Sequence, residues 1–202
     1  MNNHGQTGIA ARAGVLELRR TASLCTVRIF HKRQIHCDDI EAEVFIVQLK
    51  IGEWLRKYLD RTLREDEKTN LSYPPPIART IGFELVDIGQ ASAIFKMHTD
   101  PAVHGNPMGT VHGGVLCDLA DAAIGTAHGT TLAADESFTT IDLRINFFRP
   151  LWKDQIQAAA KAVQLGKTVS FYSCDITRSD GKIVAVVTSS VMTLRGEHAK
   201  GR

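Results

Sequence analysis

Apolar residues recur at helical spacing from residue 47 onward, with charged residues between them. The six apolar positions are Val47, Ile51, Trp54, Leu55, Tyr58 and Leu59. Spacings of three and four residues place them on one face of a helix. The pattern predicts an amphipathic helix over residues 47–65. Three consecutive prolines at 74–76 forbid its continuation and predict a stiff, extended connector.

Beyond the prolines the period changes from helical to alternating. Two strands are predicted at 81–88 and 91–98, joined by a turn at Gly89, and a loop over 100–110 follows. A helix from 113 to about 130 is rich in alanine and glycine, which permit close packing on a sheet. Four more strands are predicted at 137–148, 155–165, 168–178 and 182–194. This order predicts an α+β domain in which a curved antiparallel sheet of about six strands wraps one long, buried helix.

The patterning divides the chain into four parts. These are a poorly ordered extension over 1–40, the amphipathic helix and connector over 41–76, a main domain over 77–196 and a tail over 197–202. Residues 1–40 are rich in arginine, poor in acidic residues and without sustained periodicity. Three interpretations of this extension stay open: a mitochondrial transit peptide, a DNA-contacting arm and a segment without function.

Composition narrows the class of protein. A chain of 202 residues with 44% hydrophobic and 23% charged residues is typical of a globular protein with one sizeable core. Its formal net charge of +2 gives no strong reason to expect nucleic acid. The four cysteines form no Cys-x-x-Cys pair, which favours a reducing compartment. No apolar run reaches the roughly 18 residues that span a bilayer. We expect a cytoplasmic protein without membrane or nucleic-acid partners.

Candidate chemistry concentrates at the start of the predicted long helix. The run Asn106-Pro-Met-Gly-Thr-Val-His112-Gly113-Gly114 ends in two glycines that open the helix, where backbone N–H groups are unpaired. Asp121 follows nine residues after His112, more than two turns further along. A carboxylate at this depth gains little from the helix dipole and needs a partner or an active site. The stretch predicts carbonyl-polarising donors beside a general base.

Simpler roles compete for several residues. Asn before proline is common in turns, so Asn106 could serve the loop alone. Asp118 suits the dipole at the helix N-terminus, His128 suits the carbonyl dipole at its C-terminus, and Asp142 suits a structural cross-strand contact. Three other histidines match no common zinc spacing, namely His98, His104 and His112. Neither a metal nor another cofactor is expected.

With these residues the chain resembles the hotdog-fold acyl-CoA thioesterases of the phenylacetate-degradation (PaaI) type. The match covers residues 75–195 and includes Thr140-x-Asp142 and Phe148-Arg149-Pro150 besides the run ending in Gly114 and the later Asp121. The resemblance implies a hotdog fold and a homodimer that joins two sheets edge to edge. It further implies active sites between subunits and a dimer of such dimers.

The resemblance also implies roles within that site. Asn106 and the Gly113 N–H would bind and polarise the thioester carbonyl, with His112 supporting the loop. Asp121 of the other subunit would act as general base or as nucleophile, and Thr140 would orient the water. The expected contacts to the coenzyme A substrate are Gly114, Arg149, Gly166 and Lys167.

The expected function is hydrolysis of acyl-CoA thioesters, with medium-chain or aromatic acyl groups favoured. One alternative is a hotdog dehydratase or hydratase, which requires a different arrangement of His with Asp or Glu that is not found here. The other alternative is a non-catalytic acyl-CoA sensor joined to a DNA-binding segment. No helix-turn-helix is visible before Pro74, and a sensor has no need of a base such as Asp121.

Overall fold

The structure, a computed structural model, describes residues 46–200. The predicted extension over 1–40 lies outside this range, as do the first residues of the 41–76 segment and the last two of the tail. The helices are α1 (Ile51–Leu59), α2 (Pro76–Ile81), α3 (Pro101–His104) and α4 (Gly113–Gly129), with a 3₁₀ turn at Gly196–Ala199. The strands are β1 (Val47–Gln48), β2 (Glu67–Lys68), β3 (Phe83–Gly89), β4 (Ser92–Thr99), β5 (Ser137–Phe147), β6 (Asp154–Gln164), β7 (Val169–Arg178) and β8 (Ile183–Leu194). Over the described residues, none of the helices has the length and apolarity needed to cross a bilayer.

One six-stranded sheet carries the architecture. Its strands lie in the order β3-β4-β6-β7-β8-β5, and every neighbouring pair is antiparallel. Helix α4 packs across one face of the sheet and contacts all six strands. Strands β3 and β5 form the two edges. The predicted arrangement, about six antiparallel strands against one long helix, is confirmed.

Small residues let α4 approach the sheet closely. Ala120, Ala123 and Ala127 are fully buried on its inner side. Gly125 faces the ring of Phe138 on β5, and a Cβ added to this glycine would lie 3.1 Å from the ring. The alanine and glycine content that predicted close packing is therefore explained by contacts that leave little room for larger side chains.

Helix α1 is shorter than the predicted interval 47–65. Val47–Gln48 is instead a strand, which pairs in parallel with Glu67–Lys68. The helix ends before Arg61, which adopts a left-handed φ of 56°. The buried Ile51 of α1 lies against Gly129 at the end of α4, where an added Cβ would come within 3.1 Å of the isoleucine side chain. Helix α1 therefore packs mainly on strand β3, and its Ile51 reaches the C-terminal end of α4.

Helix α2 corrects the predicted proline connector. Pro76 is the first residue of the helix, a position where the missing proline N–H has no intrahelical partner to lose. Gly82, with a φ of 88°, ends the helix, so that Ile81 is helical and strand β3 begins two residues later than predicted. The predicted loop over 100–110 likewise contains a helical turn, α3, because the Asp100 side chain accepts the Ala102 N–H and caps it.

Candidate active site

His112 fixes the start of α4. It adopts an extended conformation before the first helical residue, and its Nδ1 accepts the Gly114 N–H at 2.9 Å. A ring nitrogen that accepts a hydrogen bond carries no proton, so this contact requires an unprotonated Nδ1. The His112 N–H donates to the His104 carbonyl at 2.8 Å, which ties the N-cap to α3. The side chain thus acts as a structural cap at the N-terminus of α4.

Gly113 presents the first N–H of α4. Within residues 46–200 this N–H has no protein acceptor. The first amides of a helix have no intrahelical partner, and they lie at the positive end of the helix dipole. Gly114 differs, because its N–H already donates to His112. Of the two glycines, Gly113 offers the available donor.

Asn106 organises the turn that precedes α4. Its Oδ1 accepts the N–H groups of Met108 at 2.9 Å and Thr110 at 3.2 Å. Its Nδ2 donates to the Thr110 hydroxyl at 2.9 Å. Gly109, with a φ of 77°, supplies the left-handed residue of this turn. Asn106 therefore stabilises the turn, as the sequence suggested. Its side-chain amide has a second N–H that does not take part in the contact with Thr110.

A cavity beside Gly113 is lined by three of the predicted site residues, Asn106, Gly113 and Arg149. Its volume is about 400 Å³, within the range of small-molecule sites. Its lining consists of Asn106, Thr110, Val111, Gly113, Leu116, Phe147, Phe148, Arg149, Pro150 and Leu151. Phe147 and Phe148 are more than half exposed at its mouth. The cavity therefore combines apolar walls with a few polar groups.

Arg149 is held at the rim of this cavity by the start of β8. Its guanidinium donates to the Ile183 carbonyl, and its backbone N–H lies 3.3 Å from the Val184 carbonyl. A guanidinium has five N–H donors, so others stay available to an anion. The predicted substrate contact by Arg149 thus lies beside Asn106 and Gly113.

Asp121 and Thr140 form a second polar group. The Thr140 hydroxyl donates to Asp121 Oδ1 at 2.9 Å. Asp121 is exposed on the single chain, although the helix that carries it is otherwise largely buried, as predicted. The exposure follows from the position of Asp121 on α4. Gly113, Asp121 and Gly125 all lie beside strand β5. Because β5 is an edge strand, no further strand of the described residues covers this side of the helix.

The predicted site residues do not all meet within one chain. Asp121 lies eight residues from Gly113, about 12 Å along the helix axis, and does not line the cavity. Gly166 and Lys167 lie in the turn between β6 and β7, where Ser170 accepts the Gly166 N–H at 3.2 Å. Strand register places that turn at the opposite end of the sheet from Arg149, about 30 Å away along strands of ten or more residues.

Two further residues have structural roles. His128 is buried, with its ring nitrogens 3.0 Å from the Tyr172 and Thr193 hydroxyls. Burial lowers the pKa of His128, so a neutral ring occupies this site and the expected dipole contact is wrong. Asp142 accepts the Ser190 N–H at 3.0 Å, which is the cross-strand contact expected of it. Within the described part of the chain, no three His, Cys, Asp or Glu side chains converge as metal ligands.

Comparison with known proteins assigns a segment of this chain to a family. A model of the Thioesterase superfamily matches residues 108–185. This segment is a thioesterase-superfamily domain. The thioesterase domain begins in the turn before α4 and ends in β8, so it contains Gly113, Asp121 and Thr140, while Asn106 precedes the matched residues. The resemblance drawn from the sequence motifs is confirmed.

Relatives of the thioesterase domain extend this finding. The 1,4-dihydroxy-2-naphthoyl-CoA hydrolase of Listeria monocytogenes is 26% identical over 54% of this chain and 89% of its own length. A medium/long-chain acyl-CoA thioesterase of Salmonella typhimurium is 27% identical over 59% of this chain and 86% of its own length. A single-site mutant of the phenylacetic acid degradation protein PaaI from Thermus thermophilus aligns with a TM-score of 0.54 and 27% identity, over 58% of this chain and 98% of the other. The hotdog fold is therefore confirmed.

Proposed function

We propose that this protein hydrolyses acyl-CoA thioesters to a free acid and coenzyme A. The observation that carries the proposal is Gly113, whose N–H has no protein acceptor within residues 46–200 and which lines, with Asn106, a cavity of about 400 Å³. A thioester carbonyl that accepts this N–H gains most when negative charge develops on its oxygen. Loss of one such donor costs about 2.7–4 kcal/mol of transition-state stabilisation in other acyl-transfer enzymes.

Asp121 supplies the general base or the nucleophile. As a base it accepts a proton from water while the water oxygen attacks the carbonyl carbon, and the carbon–sulfur bond then breaks to release the coenzyme A thiolate, which takes up a proton. As a nucleophile its carboxylate attacks the same carbon, and water hydrolyses the resulting anhydride. The Thr140 hydroxyl, 2.9 Å from Oδ1, holds the carboxylate in place or orients the water.

The reaction needs two chains. Because Asp121 and Gly113 of one chain are about 12 Å apart along α4, they do not act on the same carbonyl. Antiparallel pairing of two β5 strands about a two-fold axis reverses the partner's α4 and moves Asp121 of the partner subunit towards this chain's Gly113. The same reversal moves the end of the partner sheet that carries the Lys167 turn towards Arg149. One coenzyme A would then bind between Arg149 of one subunit and the Lys167 turn of the other.

The two sheet edges differ in a way that supports pairing through β5. At the β3 edge, the Arg56 guanidinium of α1 donates to the Ile88 carbonyl and to Asp87. This contact occupies backbone that a second strand would need. Strand β5 offers eleven residues of edge backbone, with Ile141 half exposed. An exposed edge of this length is a ready template for another strand. Further pairing into a dimer of dimers is part of the proposal.

The acyl group is proposed to be medium-chain or aromatic. Apolar side chains dominate the cavity walls, and they suit an acyl chain or ring rather than a charged group. The names of the two curated relatives point the same way, since one acts on a naphthoyl thioester and the other on medium- and long-chain acyl-CoA. No metal or other cofactor enters this mechanism.

The test compares wild type with Asp121→Asn over a panel of medium-chain and aromatic acyl-CoA thioesters, by the rate of thiol release. We expect turnover to fall by about 100-fold or more, in line with lost general-base catalysis. Asp118→Asn is the matched control, because Asp118 lies one turn earlier on α4 and has no contact with Thr140. Equal rates for wild type and Asp121→Asn would refute the role of Asp121.

A mixing experiment tests the shared site. Asn106→Ala and Asp121→Asn are each expected to be nearly inactive, yet subunit exchange between them creates dimers with one intact site. Activity should therefore reappear on mixing, and its absence despite exchange would place both residues in one subunit's site. If wild type binds acyl-CoA but hydrolyses none of the panel, the acyl-CoA sensor is the correct function.

A further inference from the structure

Phe147 lies directly against the α-carbon of Gly113. A Cβ built on this glycine would lie 2.7 Å from Phe147 Cζ and 3.1 Å from Cε1. Real Cβ atoms do not approach other atoms this closely, so a side chain at position 113 would require the Phe147 ring to move from its present place. The aromatic ring therefore stands beside the same residue whose N–H is available to a carbonyl oxygen. The sequence motifs include the three residues after Phe147 but not Phe147 itself.

The strand that carries Phe147 fixes the direction of its ring. Phe147 pairs with Ala185 on β8, and the next residue donates its N–H to the Val184 carbonyl at 2.8 Å. Leu143 and Ile145, four and two residues earlier, point to the helix side and pack against the core. Alternation along a strand places Phe147 on that same side. The ring is nonetheless 53% exposed, because it lies at the cavity mouth.

We infer that Phe147 is a specificity-determining residue whose ring limits the width of the acyl group at the carbons next to the thioester carbonyl. The inference rests on the proposed function. A carbonyl oxygen that accepts the Gly113 N–H lies about 2.9 Å from that nitrogen. The carbonyl carbon and its acyl substituent then lie within contact distance of a ring that already touches the neighbouring α-carbon.

The acyl side of the thioester, rather than the coenzyme side, faces this ring. The cavity that Phe147 lines is also lined by three buried, apolar side chains, namely Val111, Leu116 and Leu151. The exposed cation Arg149 lies at the rim, where a phosphate-bearing arm finds a partner. A straight acyl chain passes the ring edge, whereas a methyl branch on the α-carbon meets it.

The experiment measures kcat/KM for octanoyl-CoA and 2-methyloctanoyl-CoA with wild type and Phe147→Ala. One methyl group in an apolar pocket changes kcat/KM by about 10–200-fold. We expect wild type to prefer the straight chain, and Phe147→Ala to reduce that preference by about tenfold or more. Phe147→Leu retains apolar bulk and should give an intermediate ratio. Phe171→Ala, an exposed phenylalanine on β7 outside the cavity, should leave the ratio at the wild-type value.

The outcomes separate this inference from the proposed function. If Phe147→Ala hydrolyses both thioesters and keeps the wild-type ratio, the inference is wrong and the hydrolase function stands. An equal loss for both substrates also overturns it, because the ring then serves only to position Gly113. If wild type hydrolyses neither of these thioesters nor any member of the medium-chain and aromatic panel, the proposed function fails. The inference about Phe147 is then tested by calorimetric affinities of both thioesters for wild type and Phe147→Ala. An unchanged ratio of the two affinities rejects the inference, and a smaller preference for the straight chain in Phe147→Ala supports it.

Discussion

The two ends of α4 differ sharply although they belong to one helix. At the N-terminal end, Gly113 lines a cavity, and Phe147 beside it is half exposed. At the C-terminal end, His128 is 1% exposed and Gly129 lies under Ile51 of α1. One end offers a donor that has no acceptor among residues 46–200, while the other buries His128 and pairs both of its ring nitrogens.

The C-terminal end of α4 therefore contributes mainly to stability, and the N-terminal end contributes the groups of the proposed site. Buried apolar contacts and satisfied hydrogen bonds at the C-terminal end hold the helix on the sheet. The N-terminal end can then expose a donor in a fixed position, because the rest of the helix is already secured. Substitutions at the C-terminal end should therefore lower stability, and those at the N-terminal end should mainly lower activity.

The largest expected loss of stability is at helix α1, which packs on β3 and reaches the C-terminal end of α4 through Ile51. Leu55→Ala removes a fully buried side chain from α1 and should lower the free energy of unfolding by about 2–5 kcal/mol. Denaturant unfolding measures this loss. Leu165→Ala, at a leucine that is 47% exposed, is the control and should stay within about 0.5 kcal/mol of wild type. A small effect of Leu55→Ala would mean that α1 does not stabilise the domain.

His128 should give a smaller, pH-dependent effect. Burial lowers its pKa, opposed by the nearby Glu136 carboxylate and assisted by Arg195. The native state keeps His128 neutral, whereas the unfolded chain binds a proton as the pH falls below about 6.5. The contribution of His128 to the free energy of unfolding is therefore present above this pH and lost as the pH falls towards 5.

The measurement is the free energy of unfolding of wild type and His128→Gln between pH 7 and pH 5. At pH 7 the variant should lose about 1–3 kcal/mol through imperfect hydrogen bonds to Tyr172 and Thr193. Its stability should also depend less on pH than that of wild type. His98→Gln, at an exposed position on β4, should keep the wild-type dependence. A steeper pH dependence in His128→Gln would contradict a neutral buried histidine.

The smallest expected effect on stability is at the N-cap of α4. His112→Ala leaves the Gly114 N–H without its acceptor and should cost about 0.5–2 kcal/mol of unfolding free energy. His112→Asn offers another capping acceptor and should recover most of that loss. The loss of acyl-CoA turnover in His112→Ala, expressed as a free energy, should exceed its loss of unfolding free energy, because His112 no longer holds the Gly113 N–H in place. If His112→Ala lost as much stability as Leu55→Ala, the N-terminal end of α4 would contribute to stability as much as the buried end does.

Local sequence signals predicted the element types well. The change from helical to alternating period near residue 80 located the main sheet, and the run from Asn106 to Gly114 marked the start of α4. Element ends were predicted less well. Pro76 begins a helix rather than extending a connector, because its conformation suits the first helical turn and Gly82 provides a stop. Neither preference is strong enough by itself to separate a short helix from an extended segment.

The sequence by itself determined a sheet of six antiparallel strands around one long helix and pointed to the residues proposed for acyl-transfer chemistry, because period, glycine placement and motif spacing are local properties of the chain. Tertiary structure alone decided that Asp121 is exposed along the β5 edge and that Phe147 stands against Gly113. Those features depend on which strand lies beside which face of α4. Contacts between residues far apart in the chain set that geometry, and no local pattern encodes them.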